Sequence, residues 1–261
     1  MIPMSTEIVR RLTPEEEELE KKRAELVQFE NALAERELYL TNLRAEISVF
    51  QSRYLGRVGV LYAELDEWNA KIAELKAKTE GTPEARDAAS KARSQAEESS
   101  SAVGAEDITP MEFNPSPELK SLYREVAKRV HPDLAVDQAD RDKRERLMAE
   151  ANLAYQRGDA DTLKRILEEY ASSPESVRGT GTAADLVRVI RQISQLRRRL
   201  VQVEEEIASL NSSDIAKLKV RAEEADAKGR DLLAEMAGDI RDRVDAARRR
   251  YEHSSAGLEK P

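Results

Sequence analysis

Residues 12–50 read LTPEEEELEKKRAELVQFENALAERELYLTNLRAEISVF, and an apolar side chain returns there at every seventh position. Leu12, Leu19, Leu26, Leu33, Leu40 and Ile47 form the series, and Tyr54, Leu61, Trp68 and Leu75 extend it without a miss. Phe29, Leu43 and Phe50, then Val58, Leu65 and Ile72, fill the second position of the repeat. A seven-residue stripe stays on one seam only if the helix supercoils around a partner, so the pattern predicts a coiled-coil arm over 13–80. Thr13-Pro14-Glu15-Glu16 predicts its start, with a capping hydroxyl, a proline in the first turn and acids at the positive end of the helix. Between Phe50 and Val58 the spacing slips by one residue, and Gly56 and Gly59 lie at the slip. Such a stutter unwinds a supercoil, and each helical glycine costs about 1 kcal/mol relative to alanine. The arm is expected to be weakest, or bent, at this level.

A second arm is predicted over 184–252. Leu186, Val189, Ile193, Leu196, Leu200, Val203, Ile207 and Leu210 alternate three and four apart. Asn211-Ser212-Ser213-Asp214 interrupts the stripe, and an alanine-rich stretch follows Ile215 and Leu218. The stripe recovers at Leu233, Met236, Ile240, Val244 and Tyr251. Arms of about 65–70 residues reach about 100 Å at about 1.5 Å per residue. Equal arms flanking a small module predict an all-α fold in which one long antiparallel coiled-coil hairpin carries the module. In that sense Glu15–Glu18 face Arg248–Arg250, and Asp66, Glu67 and Glu74 face Arg188, Arg191 and Arg197. Opposite charges flanking a seam select orientation. A homodimer, parallel or antiparallel, is the alternative to a monomeric hairpin.

Residues 81–117, rich in Ser, Ala, Glu and Pro, have no sustained apolar period and are expected to form a flexible linker. Within it 84–98 has the composition of a transient helix with no apolar face to bury. A second linker is expected over 172–183 and a flexible tail over 253–261.

Composition narrows the function classes. Of 261 residues, 36% are charged and 4% aromatic, a coiled-coil composition rather than that of a large globular core. The net charge of −8 argues against general nucleic-acid binding, and Arg188, Arg191 and Arg197–Arg199 read as a salt-bridged helix face. There is no cysteine and only two histidines, His131 and His253, so no thiolate or histidine-rich metal site is expected, and no cofactor. Neither an apolar leader nor a membrane-spanning run is present, which favours a cytoplasmic protein without membrane contact. With no glycine-rich phosphate loop and no acid–base pair beside His131, an enzyme is not expected.

The remaining segment, 118–171, is the one expected to carry the function. Leu119–Val130 (LKSLYREVAKRV) is a short amphipathic helix with Lys120, Arg124, Lys128 and Arg129 as its basic positions. His131-Pro132-Asp133 follows, and Pro132 must end the helix because it lacks an N–H. Arg141–Tyr155 (RDKRERLMAEANLAY) is the returning helix. A basic helix, this tripeptide and a returning helix with Asn152, Ala154 and Tyr155 resemble the J-domain of the DnaJ family. Leu119, Lys120, Tyr123, Arg124 and Ala127 match that family's helix before the tripeptide, and Met148 stands where a Phe is common. The aromatic-rich first helix has no counterpart in 111–117. Past Tyr155 the chain runs through Gly158-Asp159 into a further helix, 160–170, in place of the usual Asp-Pro-x-x-Arg ending. The match covers about a fifth of the chain.

The resemblance implies a cochaperone that recruits and stimulates a DnaK-type (heat-shock seventy) ATPase. His131, Pro132 and Asp133 would be the element the ATPase responds to. Lys120, Arg124, Lys128 and Arg129 would steer the encounter, as clustered basic charge does for an acidic partner. The coiled coil would serve as a stalk or as an arm for a client or scaffold protein. The alternative is a structural coiled-coil adaptor whose J-like module does not stimulate an ATPase.

Overall fold

The computed structural model describes residues 12–104, 113–135, 137–171 and 181–256, and among these every regular element is helical. The chain divides into two compact units, one made of residues 1–45 and 114–210, the other of 46–113 and 211–261.

Helix α1 (Pro14–Tyr54) opens as its sequence prescribes. The Glu16 N–H donates to Thr13 Oγ1 at 3.3 Å, and the Thr13 N–H donates back to Glu16 Oε2 at 2.9 Å, a reciprocal capping box. In the first unit α1 packs against α7 (Thr182–Ser212) along the expected stripes: Leu33 and Leu40 share a core with Leu196, Val203 and Ile207, and Leu19 sits with Val189 and Ile193. Their sense is the opposite of the expected one. Arg23 meets Asp185, Glu37 meets Arg199 and Arg44 meets Glu206, each pair 162 residues apart. Residue numbers rise together, so the two helices run parallel.

The second unit shows the same sense by itself. Lys219 in α8 (Asp214–Asp226) pairs with Glu46, and Arg57 with Asp231. Leu65 in α2 (Val60–Glu80) packs with Ile240, Val244 and Ala247 of α9 (Leu232–Ala256), and Trp68 meets the Tyr251 ring at 5.7 Å. The expected antiparallel hairpin is therefore corrected to parallel pairing. Acids and bases alternate along both arms, so charge pairs exist in either direction and do not select one.

The stretch expected to be a flexible linker contains α3 (Pro83–Gly104), a second correction. Gly81 ends α2 in the left-handed conformation, φ 67°, which lacks penalty only for glycine, and the chain turns back. Ala85, Ala89 and Ala96 are buried against α2, Arg93 pairs with Glu67 and Glu74, and Ser99 Oγ donates to Asp66 at 2.6 Å. The face was there, but made of alanines, which bury little area and let backbones approach closely. Antiparallel α3 carries the chain back along α2 to the level of its first turn. Residues 105–112, 172–180 and 257–261, parts of the expected linkers and tail, lie outside the described residues, while His253–Ala256 belong to α9.

The slip at Gly56 and Gly59 is a π-helical turn, Leu55–Gly59, which absorbs the extra residue without breaking the helical run. A Cβ on Gly59 would lie 2.9 Å from Leu55 Cδ2, so any other residue there would have to displace the Leu55 side chain. Opposite it stands the break between α8 and α9, where Arg57 reaches Asp231.

The remaining elements belong to the first unit. Ser116 caps α4 (Pro117–Val130), with Pro117 at its first position. A 3₁₀ turn (Pro132–Leu134) follows, and Asp137 caps α5 (Gln138–Gln156) through the Asp140 N–H at 2.9 Å. α4 and α5 are antiparallel, and α6 (Ala160–Ala171) lays Leu163 and Ile166, both fully buried, against them.

Candidate functional site

The site is the His-Pro-Asp turn with the α4–α5 pair that frames it. Two interlocks hold the frame. Tyr123 and Tyr155 are fully buried with rings 4.7 Å apart, and the Tyr123 hydroxyl donates to Asn152 Oδ1 at 2.6 Å. At the other end, Arg144 reaches across from α5. Its Nη1 donates to the carbonyl of Arg129 (3.0 Å), in the last turn of α4, and to that of His131 (3.2 Å), which also accepts the Leu134 N–H at 3.1 Å. Its Nε donates to both carboxylate oxygens of Asp140, and its remaining nitrogen meets the Tyr170 hydroxyl. Arg144 and Asp140 are 6% and 5% exposed, so a buried ion pair fixes the turn.

The turn itself is not presented to solvent through its histidine. His131 is 3% exposed. Its Nδ1 accepts the Asp133 N–H at 3.1 Å, which leaves the proton on Nε2, and Nε2 donates to Glu37 Oε1 of α1 at 3.3 Å. The same Glu37 oxygen accepts from Arg199 Nε and Nη2 at 3.0 and 2.8 Å. Arg199 continues to Glu206, and Glu206 to Arg44, so the turn joins a charge chain shared with α1 and α7. Burial is the largest influence on Glu37 and would raise its carboxyl, yet His131 and Arg199 together hold it below the ordinary range. Leu134, the next residue of the turn, belongs to the α1–α7 core with Leu33, Leu40 and Leu196.

α4 and α5 lie against one segment of α1. There α1 is buried at Ala34, Glu37, Leu38, Thr41 and Ala45 as well as at its heptad positions Leu33 and Leu40. Because the Tyr123 proton goes to Asn152, the Thr41 hydroxyl at 2.9 Å is the donor to Tyr123. The Tyr155 hydroxyl donates to Asn42 Oδ1 at 2.8 Å, and burial pushes it up to about 12. Burial, the first cause, also raises the Tyr123 hydroxyl, partly opposed by the bond from Thr41.

The basic positions separate into two sets. Arg124 lies 2.8 Å from Glu35 of α1, an ion pair off the hydrogen-bond line, and Lys120 borders the same shallow groove beside Arg36 and Tyr39. Lys128 is partly buried and its charge acts on Glu30 of α1. Arg129 is exposed and pairs with Glu125 on its own helix at 2.6 Å. Pro132 and Asp133 line an open cleft of about 200 Å³ with Gln138, Arg141 and Gln195, and Arg141 pairs with Asp133 at 3.3 Å. Lys120, Arg124, Lys128 and His131 thus turn toward α1, while Pro132, Asp133 and Arg129 do not.

Sequence reasoning missed Glu37, Thr41, Asn42, Asp140, Arg144 and the role of Arg199. A signal existed for the α1 residues: 34, 38, 41 and 45 are spaced four, three and four, a second helical stripe. It holds two alanines and a threonine, so no hydrophobic count finds it. Arg197 pairs with Glu25 and covers the Phe29 ring at 4.9 Å, and Arg188 pairs with Asp185. Among the described residues no three His, Asp or Glu side chains gather as a metal site, and no helix is long and apolar enough to cross a membrane. Comparison of the chain with protein-family models, with curated proteins and with solved structures gave no match.

Proposed function

We propose that the protein is a J-domain-like cochaperone that recruits a DnaK-type ATPase and accelerates its ATP hydrolysis through His131, Pro132 and Asp133. One observation carries the reading. The tripeptide closes an antiparallel helix pair in which Tyr123 and Asn152, two of the residues behind the family resemblance, are hydrogen-bonded to each other. α1 covers that pair, and we read residues 34–45 as standing in for the first helix the sequence lacks. Arg129, Pro132, Asp133 and Arg141 form the part of the turn open to a partner. Lys120, Arg124 and Lys128 add basic steering charge.

A specific observation favours the second reading, a coiled-coil adaptor with an inactive module: His131, the residue on which stimulation would depend, is buried against Glu37. Single-turnover ATP hydrolysis by a DnaK-type ATPase decides between them. The cochaperone reading expects acceleration by the full chain that is lost in His131→Gln. If neither the wild type nor a Glu37→Ala variant accelerates hydrolysis at saturating concentration, or if His131→Gln is equally effective, the adaptor reading stands.

A further inference from the structure

The cochaperone reading leaves one conflict: the histidine it needs is held by the protein's own α1 and α7. Resting on that reading, we propose that residues 34–45 of α1, with Arg199 of α7, form an autoinhibitory latch. The module rests with His131 turned into the α1–α7 pair, and the ATPase is served by the form in which α4 and α5 have lifted from α1.

Three layers of contact make the latch. Glu37 bridges His131 and Arg199. Thr41 and Asn42 engage the Tyr123 and Tyr155 hydroxyls, and Glu35 faces Arg124. Leu134 enters the core beside Leu40 and Leu196. Docking therefore withdraws the tripeptide's histidine and pairs Arg124 with an acid of α1, while Arg129 stays exposed. Apart from Leu134 and the rings of Tyr123 and Tyr155, the contacts just named are hydrogen bonds and ion pairs. Water replaces such contacts at small net cost, unlike an apolar seam, which suits a face that opens and recloses. Within α4–α6 the interlocks of Tyr123 with Asn152 and Arg144 with Asp140 do not involve α1, so the module keeps its frame when it lifts.

Two measurements on the full chain test this. The first is independent of any ATPase: diethyl pyrocarbonate acylates accessible imidazoles, and the protein has only His131 and His253, the latter exposed. His131 is expected to react at least about tenfold slower than His253 in the wild type, and at a comparable rate in Glu37→Ala. Glu37→Gln, which keeps an acceptor for His131, falls between. The second is stimulation at subsaturating concentration. Removing a resting state that occupies most molecules raises apparent affinity by the inverse of the open fraction, so about a tenfold gain is expected for Glu37→Ala.

A second test does not depend on a released variant keeping its fold: a lock is made on the otherwise wild-type chain. Cysteines replace Gln138 and Gln195, which border one cleft in a protein without native cysteine, and a reducible bismaleimide joins them. The bridged form should lose stimulation and regain it on reduction, while the same cysteines capped singly by N-ethylmaleimide should not lose it. Equal stimulation by bridged and capped forms, or release of His131 without gain over a stimulating wild type, overturns the latch alone. Release of His131 with no stimulation from any form overturns the cochaperone reading.

Discussion

The buried polar side chains of the described residues, Glu37, Thr41, His131, Asp140 and Arg144, all lie in the first unit. The second unit is packed differently: Phe50, Val58, Leu65, Leu233 and Ile240, with alanines of α3, α8 and α9, fill its interior, and its ion pairs, such as Arg57–Asp231, lie at the surface. Both units use the same amphipathic material in the same parallel sense. The difference lies in what burial has to satisfy. An apolar seam tolerates imprecise partners, while each buried charge or hydroxyl requires a partner with the right geometry or costs its full desolvation. Specificity in this molecule is therefore concentrated where α4 and α5 meet each other and α1.

The parallel sense is common to both regions, and breaking it has the largest, all-or-none effect. Cysteine pairs replacing Arg44 and Glu206 in the first unit, and Arg57 and Asp231 in the second, should each be joined within one chain by a short bismaleimide, read by peptide mass spectrometry. An antiparallel hairpin would join neither pair.

The contrast in polar burial predicts the next effect. Arg144→Ala removes the buried charge that faces Asp140 and a donor to the Arg129 carbonyl, and should cost about 3–5 kcal/mol in urea unfolding. Arg57→Ala, which removes an exposed pair, should cost at most about 1 kcal/mol. Comparable losses for the two would erase the distinction between the units.

The alanine face of α3 gives a smaller change. Ala89→Leu overpacks the α2–α3 contact and should cost about 1–3 kcal/mol, with faster amide exchange over α3. An unchanged exchange pattern would return α3 to the status of a linker.

The smallest effect is the pH dependence of Glu37. Its folded carboxyl is held below the ordinary 4.5, through His131 and Arg199 against the opposing effect of burial. A depressed value means stability that is fully present above about 4.5 and is lost as pH falls through the folded value. The stability difference between wild type and Glu37→Gln should shrink over that window. A difference that stays constant with pH would place the Glu37 carboxylate outside the charge chain.

Several elements were legible in the residues alone because their causes are local. A seven-residue stripe imposes a seam, Thr13 and Glu16 cap a helix, Pro132 ends one, and a one-residue slip with Gly56 and Gly59 marks a defect that takes the form of a π turn. The α4–turn–α5 layout was equally readable from its amphipathic pattern. The direction of pairing was not, because alternating acids and bases satisfy both senses. Only the return of α3 along α2, made by alanines that no hydrophobic pattern flags, and the docking of α4 and α5 on α1 set it. The placement of His131 was undecidable for the same reason. Its partner Glu37 is distant in sequence, and a buried carboxylate in an acid-rich helix looks like any exposed one until Arg199 and His131 are brought to it. Periodicity fixes which face of a helix is buried. Which polar groups share that burial depends on the three-dimensional meeting of segments, since a desolvated charge is stable only beside its partner.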